Sequence, residues 1–134
     1  MFKLIKILNG RMNVPEPEFL PVTANEKYTE GEALKIASGK LTKASGTNAP
    51  THIALGTEAN ANGLLPVARI DKTMVFEAPV TYSDTALAVV LGTKLTIATD
   101  GAGVTDVTTS GVATVVDTLD ANKTAGDKVL VIFE

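Results

Sequence analysis

The sequence predicts a mainly β protein, a compact β-barrel or sandwich-like domain of short antiparallel strands that follows an extended N-terminal arm. Threonine and valine are abundant along the whole chain and favour pleated surfaces. Short apolar or alternating runs are separated by turn sequences such as Ser38-Gly39 and Asp100-Gly101. No segment combines a long 3.6-residue periodicity with caps at both ends, although Ala86–Leu91 is compatible with a helical turn.

The arm is predicted for residues 1–21. Residues 3–8 form a short apolar strand, and an Asn9-Gly10 turn follows it. Pro15, Pro17 and Pro21 donate no ladder hydrogen bonds, so this stretch is unsuited to the centre of a sheet. Two interpretations stay open, a partner-binding arm and a plain linker or edge segment. On the first, the arm acts on a partner more than on the fold, through Leu4, Ile5, Ile7, Val14, Pro15, Pro17 and Phe19.

A single β domain is predicted for residues 22–134. Ala33–Ala37 alternates with period two and leads through Ser38-Gly39 into 40–43, which indicates a hairpin. The run at 52–56 is typical of a buried strand. Further strands are expected in chain order at 64–70, 74–80, 94–98, 111–116 and 128–133.

The regions 31–70 and 92–132 resemble each other and form a candidate pseudo-repeat. Gly31–Ala37 aligns with Gly92–Ala98 at an offset of 61, which makes Leu34 and Leu95, and likewise Ile36 and Ile97, equivalent core positions. Downstream, residues 53–55 align with 113–115 and residues 67–70 with 129–132. A duplication and a chance match between Thr-, Val- and Ala-rich strands both remain open. A duplication implies two similar β-units around one core, since about 50 residues are marginally stable alone.

Composition and charge exclude several classes of partner and functional site. A net charge of −3 and a pI of about 5.1 disfavour nucleic acid and anionic membranes as partners. The absence of cysteine excludes disulfide scaffolds, thiolate zinc sites and cysteine nucleophiles. Apolar runs of five or six residues are far short of the roughly 20 that a membrane helix needs. The lysine-interrupted N-terminus lacks the pattern of a cleaved signal peptide. We therefore expect a cytoplasmically made protein that is not an enzyme and uses no metal or cofactor.

His52 is the single histidine of the chain. It precedes an apolar strand, and no acid or nucleophile accompanies it in the sequence. General acid–base chemistry needs such a partner. A structural or surface role is therefore expected for this side chain.

Four segments of the sequence carry a resemblance: residues 3–18 and 31–34, Pro50-Thr51-His52-Ile53-Ala54-Leu55, and the ending at 126–131. They resemble the capsid decoration (cement) proteins of tailed phages and prophages of Gram-positive hosts. The resemblance implies a structural virion protein that binds the outer surface of the assembled shell and stabilises contacts between major capsid subunits. It further implies a homo-oligomer on the capsid, for which a trimer is one arrangement, and no catalytic residues.

The composition fits this implied role. Such a protein needs a rigid core and an extended strand that can add to a partner sheet, with avidity from many copies. The alternative is a carbohydrate-binding or host-adhesion β module displayed on the virion. That function needs an exposed aromatic platform, which six dispersed aromatic residues make doubtful.

Overall fold

The structure is a computed structural model that describes residues 1–8 and 15–134. In these residues it contains no helix, and therefore none long and apolar enough to cross a membrane. The strands in chain order are β1 (Lys3–Ile7), β2 (Glu18–Pro21), β3 (Ala33–Ala37), β4 (Lys40–Lys43), β5 (His52–Ala54), β6 (Leu64–Arg69), β7 (Met74–Thr81), β8 (Lys94–Leu95), β9 (Val104–Thr105), β10 (Ala113–Asp117) and β11 (Lys128–Phe133). The prediction of a mainly β domain is confirmed.

The strands form two antiparallel sheets that pack together like a sandwich and do not close into a barrel. One sheet has the order β1-β7-β11-β10-β8, and β9 pairs with β7 in parallel. The other has the order β2-β6-β5-β3-β4. The hairpin predicted around Ser38-Gly39 is present as β3 and β4, and both turn residues have positive φ.

The chain divides into two units with the same topology, which we call the N-terminal unit (β2–β6) and the C-terminal unit (β7–β11). In each unit the first strand pairs with the fifth, the fifth with the fourth, and the fourth with the second. The third strand then runs parallel to the first. It makes this contact through Val22 and Leu41 in one unit, and through Val80 and Val104 in the other. The two units therefore have the same strand topology as well as the same number of strands.

The hydrogen-bond registers of the two units also correspond. Leu34 lies opposite His52, and Leu95 lies opposite Ala113, so both partners are displaced by 61 residues between the units. The backbone bonds beside these strands repeat at the same spacing. The Thr51 N–H donates to Leu34 O at 2.9 Å, and the Val112 N–H donates to Leu95 O at 2.9 Å.

Two of the sequence alignments need correction. The sequence alignment of 53–55 with 113–115 has a displacement of 60 residues. The fourth strands of the two units correspond at a displacement of 61 residues, so Ala54 is the equivalent of Val115. Val67 and Val131 lie opposite those residues, so the fifth strands match at 64 and not at 62. Between these matched positions the C-terminal unit has three more residues than the N-terminal unit, so the displacement grows from 61 to 64.

The buried side chains follow this correspondence. The interior of the N-terminal unit holds a small cluster made of Tyr28, Leu34, Leu41, Ala54, Leu65 and Val67. A larger cluster fills the C-terminal unit and continues between the units, where Phe2 and Ile53 join Phe76 and Phe133. The rings of Phe2 and Phe133 meet edge to face at a centroid distance of 5.2 Å. The two units are thus joined by apolar side chains that neither unit could bury alone.

The predicted arm is divided between the two sheets. β1 pairs with β7 and ends one sheet, while β2 pairs with β6 and ends the other. Phe2 is only 2% exposed, which makes the start of the chain part of the core. Lys3–Ile7 and Glu18–Pro21 are therefore paired strands at the ends of their sheets, whereas residues 9–14 lie outside the described residues. Pro21 fits that position, because an edge strand needs ladder bonds on one side only, while Pro15 and Pro17 lie before β2.

Ile36 and Ile97 do not occupy equivalent core positions. Ile97 is 1% exposed, whereas Ile36 is 48% exposed. The backbone of Ile97 exchanges two hydrogen bonds with Gly46 of the N-terminal unit, at 2.9 Å each, so a segment of that unit runs beside it. Ile36 lies near the tip of the β3–β4 hairpin, where no segment of residues 1–8 or 15–134 runs beside it in the same way. Packing between the units therefore buries one isoleucine and leaves the other in solvent.

This difference predicts unequal effects of the same substitution. Ile97→Ala should lower the free energy of unfolding by about 2–5 kcal/mol, because it leaves a cavity in the core. Ile36→Ala should lower it by no more than about 0.5 kcal/mol, as is usual for surface positions. Urea unfolding of both variants beside the unaltered chain measures the two values. Equal losses would show that the hairpin tip is covered in solution.

Candidate interaction surface

The residues predicted to bind a partner are only partly accessible. Leu4 and Ile7 pack against the core and are half-buried. Leu4 and Pro15 also line an apolar cavity of about 190 Å³ between the sheets. These three side chains contribute to the fold as well as to the surface. Val14 lies outside the described residues.

The remaining predicted residues are exposed, but on different sheets. Ile5 lies on β1 at the bulge between Leu4 and Lys6. Phe19 lies on β2 opposite Pro66 and is exposed, as is Pro17. Among the residues predicted to bind a partner, Ile5, Pro17 and Phe19 are therefore accessible.

His52 is buried on β5 and is held by polar groups on both sides. Its Nδ1 lies 2.8 Å from Thr51 Oγ1. Its Nε2 lies 3.4 Å from Glu18 Oε2, without hydrogen-bond alignment. Glu18 in turn accepts two hydrogen bonds from Arg69, at 2.9 and 3.1 Å. An imidazole enclosed in this way is part of the packed interior and has little access to a ligand.

The charge state of His52 follows from this enclosure. Burial lowers the pKa of His52 below its ordinary value of 6.5 and outweighs the opposing effect of Glu18. The hydrogen bonds from Arg69 lower the pKa of Glu18, despite some desolvation. His52 is therefore neutral at pH 7, and the ion pair at this site is the exposed one between Arg69 and Glu18.

An apolar surface that the sequence did not single out lies between β7 and β8. We call residues 85–93 the apolar loop, because these nine residues contain no charged side chain. Val89 is buried and anchors the loop, while Val90 and Leu91 are 57% and 64% exposed and Leu87 is also exposed. Val107, just after β9, is exposed as well. The helical turn considered for 86–91 is absent, and the signal for this surface was the uncharged run itself.

A buried carboxylate fixes the shape of the apolar loop. Asp106 accepts hydrogen bonds from the Ser83 N–H, the Ser83 hydroxyl and the Leu87 N–H, at 2.7–2.9 Å. Burial by itself would raise the pKa of Asp106, but these hydrogen bonds outweigh it and the pKa is lowered. The far end of the loop is held where the Gly92 N–H donates to Val115 O at 2.8 Å. The exposed apolar side chains are thus presented by a well-braced backbone.

The equivalent loop of the N-terminal unit has a different surface. Tyr28 is buried in it, 61 residues before Val89, and Gly31 has positive φ as Gly92 does. Apart from Ala24 and Gly31, the other residues of this loop, 24–32, are polar or charged. Glu26 accepts hydrogen bonds from the Lys43 N–H and the Thr42 hydroxyl, at 2.9 and 3.0 Å. The same backbone position therefore tolerates a polar loop, and the exposed apolar residues of 85–93 are not required by the fold.

The six aromatic residues do not form an exposed platform. Phe2, Phe76 and Phe133 contact one another in the core. The hydroxyl of the buried Tyr28 donates to Leu41 O, and that of the half-buried Tyr82 donates to Asp127 at 2.7 Å. Only the ring of Phe19 is exposed.

In residues 1–8 and 15–134, no three His, Asp or Glu side chains come together in a group that could hold a metal ion. The chain matches no protein-family model, no curated protein and no solved structure.

The buried His52 predicts a pH dependence of stability. Below about pH 6.5 the unfolded chain binds a proton that the folded chain resists, so the free energy of unfolding should decrease as the pH falls from about 7 to about 5. The carboxylates with lowered pKa titrate below about pH 4.5 and lie outside this window. His52→Gln should flatten the dependence, as measured by urea unfolding at both pH values. An unchanged slope in that variant would assign the proton to another group.

Proposed function

We propose that this chain is a structural virion protein that binds the outer surface of an assembled phage capsid and stabilises contacts between major capsid subunits. It is made in the host cytoplasm, uses no cofactor and acts without catalysis. Its partners are the major capsid protein and further copies of itself, for which a trimer is one arrangement. The resemblance noted in the sequence motivates this proposal.

The structural observation that carries the proposal is the outer edge of β1. β1 pairs with β7 on one side, and no described strand pairs with its other side, although the Phe2 N–H just before β1 donates to Gly31 O at 2.8 Å. An unpaired edge offers backbone donors and acceptors to an added strand. Ile5 is exposed on this strand, and the ring of Phe2 just before it fixes the strand to the core. A partner strand would therefore add to a rigid sheet.

The charges on β1 restrict which strand can add. Lys3 and Lys6 are exposed on either side of Ile5, in a chain whose net charge is −3. Lysines on an edge strand discourage pairing with identical edges, because like charges would then face each other. A shell strand with carboxylates opposite these lysines and an apolar residue opposite Ile5 would complement the edge.

The adhesion alternative has less support. Carbohydrate recognition through stacking needs exposed rings, and among the described residues only Phe19 has an exposed ring. A glycan array probed with the full chain separates the two functions, since we expect no sugar to be retained. Sugar-specific retention without capsid binding would favour the adhesion module.

Cosedimentation with assembled capsids of the encoding phage or prophage tests the proposal. We expect the unaltered chain to sediment with capsids, and Ile5→Ser to weaken binding more than tenfold, or about 1.4 kcal/mol. Ile36→Ser is the matched control, since it removes a similarly exposed isoleucine from a strand of the other sheet. Each variant must keep a cooperative thermal melt. Failure of the unaltered chain to sediment contradicts the proposed function, and equal effects of the two variants contradict the role of β1.

A further inference from the structure

The turn between β5 and β6 contains an asparagine that is followed by a glycine. Asn62 and Gly63 are both exposed in this turn. Gly63 has a φ of 74°, and no heavy atom beyond its chain neighbours lies within 4 Å of the position that a Cβ would occupy. A glycine in open space can change its backbone conformation at little cost. No side chain at Gly63 therefore hinders its backbone nitrogen from closing a ring onto the side-chain carbonyl of Asn62.

Asn60 holds this turn closed. Its Oδ1 accepts hydrogen bonds from the Asn62 N–H at 2.9 Å and from the Leu64 N–H at 3.1 Å. Its backbone carbonyl accepts a hydrogen bond from the Gly63 N–H, also at 2.9 Å. The Gly63 nitrogen must leave this bond before it can attack the side chain of Asn62. The turn held by Asn60 therefore sets how often the reactive geometry is reached.

The side chain of Asn62 is not held in the same way. Within residues 1–8 and 15–134, its amide group makes no hydrogen bond. Asn48, in another exposed loop, shows the contrast, because its Oδ1 accepts from Lys35 Nζ and its Nδ2 donates to Ser45 O, both at 2.8 Å. Asn48 and Asn60 are also each followed by an alanine, whose Cβ crowds the backbone nitrogen. Asn62 alone of these three combines an unrestrained side chain with an unhindered nitrogen.

We propose that Asn62 is a site of spontaneous deamidation, a chemical modification that needs no enzyme. The backbone nitrogen of Gly63 bonds to the side-chain carbonyl carbon of Asn62 and gives up its proton. The bond from that carbon to Nδ2 breaks, and ammonia leaves. Water then opens the resulting cyclic imide at either of its carbonyl groups. The products at position 62 are an aspartyl residue and an isoaspartyl residue, and in the second the main chain is longer by one methylene group.

The modification changes both the charge and the geometry of the turn. Glu58 is the only charged residue in the segment 55–63, so a carboxylate at position 62 adds a second negative charge there. One carboxylate more than the present 15 acidic side chains changes the net charge of the chain from −3 to −4. In the isoaspartyl product, the extra methylene group also shifts the main-chain N–H that now donates to Asn60 Oδ1. The turn is therefore altered progressively as the protein ages.

Peptide mass spectrometry of the full chain, incubated at mildly alkaline pH, tests the proposal. Trypsin releases residues 44–69 as one peptide, separate from the other Asn-Gly pair at 9–10, and its fragment ions distinguish Asn48, Asn60 and Asn62. We expect Asn62 to be converted more than about tenfold faster than the other two, which is a barrier lower by about 1.4 kcal/mol. Both the aspartyl and the isoaspartyl product should form. Conversion of Asn62 no faster than that of Asn48, or an aspartyl product alone, would overturn the proposal.

Two substitutions at position 60 test the control that the turn exerts. Asn60→Ala removes both side-chain hydrogen bonds, so Asn62 should be converted several-fold faster than in the unaltered chain. Asn60→Asp keeps an oxygen that can accept the same two bonds, and it is the matched control, with a rate close to that of the unaltered chain. A cooperative thermal melt shows that each variant is folded. Equal rates of Asn62 conversion in the two variants would contradict the role of Asn60.

Discussion

The fold depends on where the third strand of each unit lies. That strand pairs with the second strand in the N-terminal unit, and with Ile97 just after the second strand in the C-terminal unit. It also runs parallel to the first strand, through Val22 and Leu41 in one unit and through Val80 and Val104 in the other. All five strands then direct alternate side chains into one interior. A register shift of one residue would turn these side chains to the opposite face. This constraint accounts for the repetition of buried positions across two units with little sequence in common.

The two units differ in side chains that their common strand topology does not constrain. In the N-terminal unit a loop carboxylate, Glu26, reaches the third strand at the Lys43 N–H. In the C-terminal unit the corresponding position is Asp106, just after β9, which reaches the loop instead. With the carboxylate placed outside the loop, the loop needs no polar side chain of its own to hold its shape. Exposed apolar residues can then occupy the loop without loss of order.

Most strands could be predicted because each short apolar run is bounded by turn residues, as at β3 and β4. The short strands β2 and β9 were not predicted, because neither forms an alternating apolar run of its own. The similarity of Leu34 and Leu95 could be predicted from a local motif, since both lie in the same alternating run. The exposure of Ile36 could not, because it depends on the absence of a neighbouring segment such as the one at Gly46. Nor could the pairing of β1 with β7, which joins strands 67 or more residues apart, be inferred from local pattern. For the candidate surface, Ile5 and Phe19 were found from their apolar character, but the apolar loop was missed because its bracing comes from Asp106, outside the run.

Cross-strand nuclear Overhauser effects between backbone protons test the central claim of two units in one register. The account predicts contacts between Leu34 and His52 and between Leu95 and Ala113, together with contacts between Val22 and Leu41 and between Val80 and Val104. Contacts in only one unit, or a set in which Leu95 faces Thr114, would contradict it.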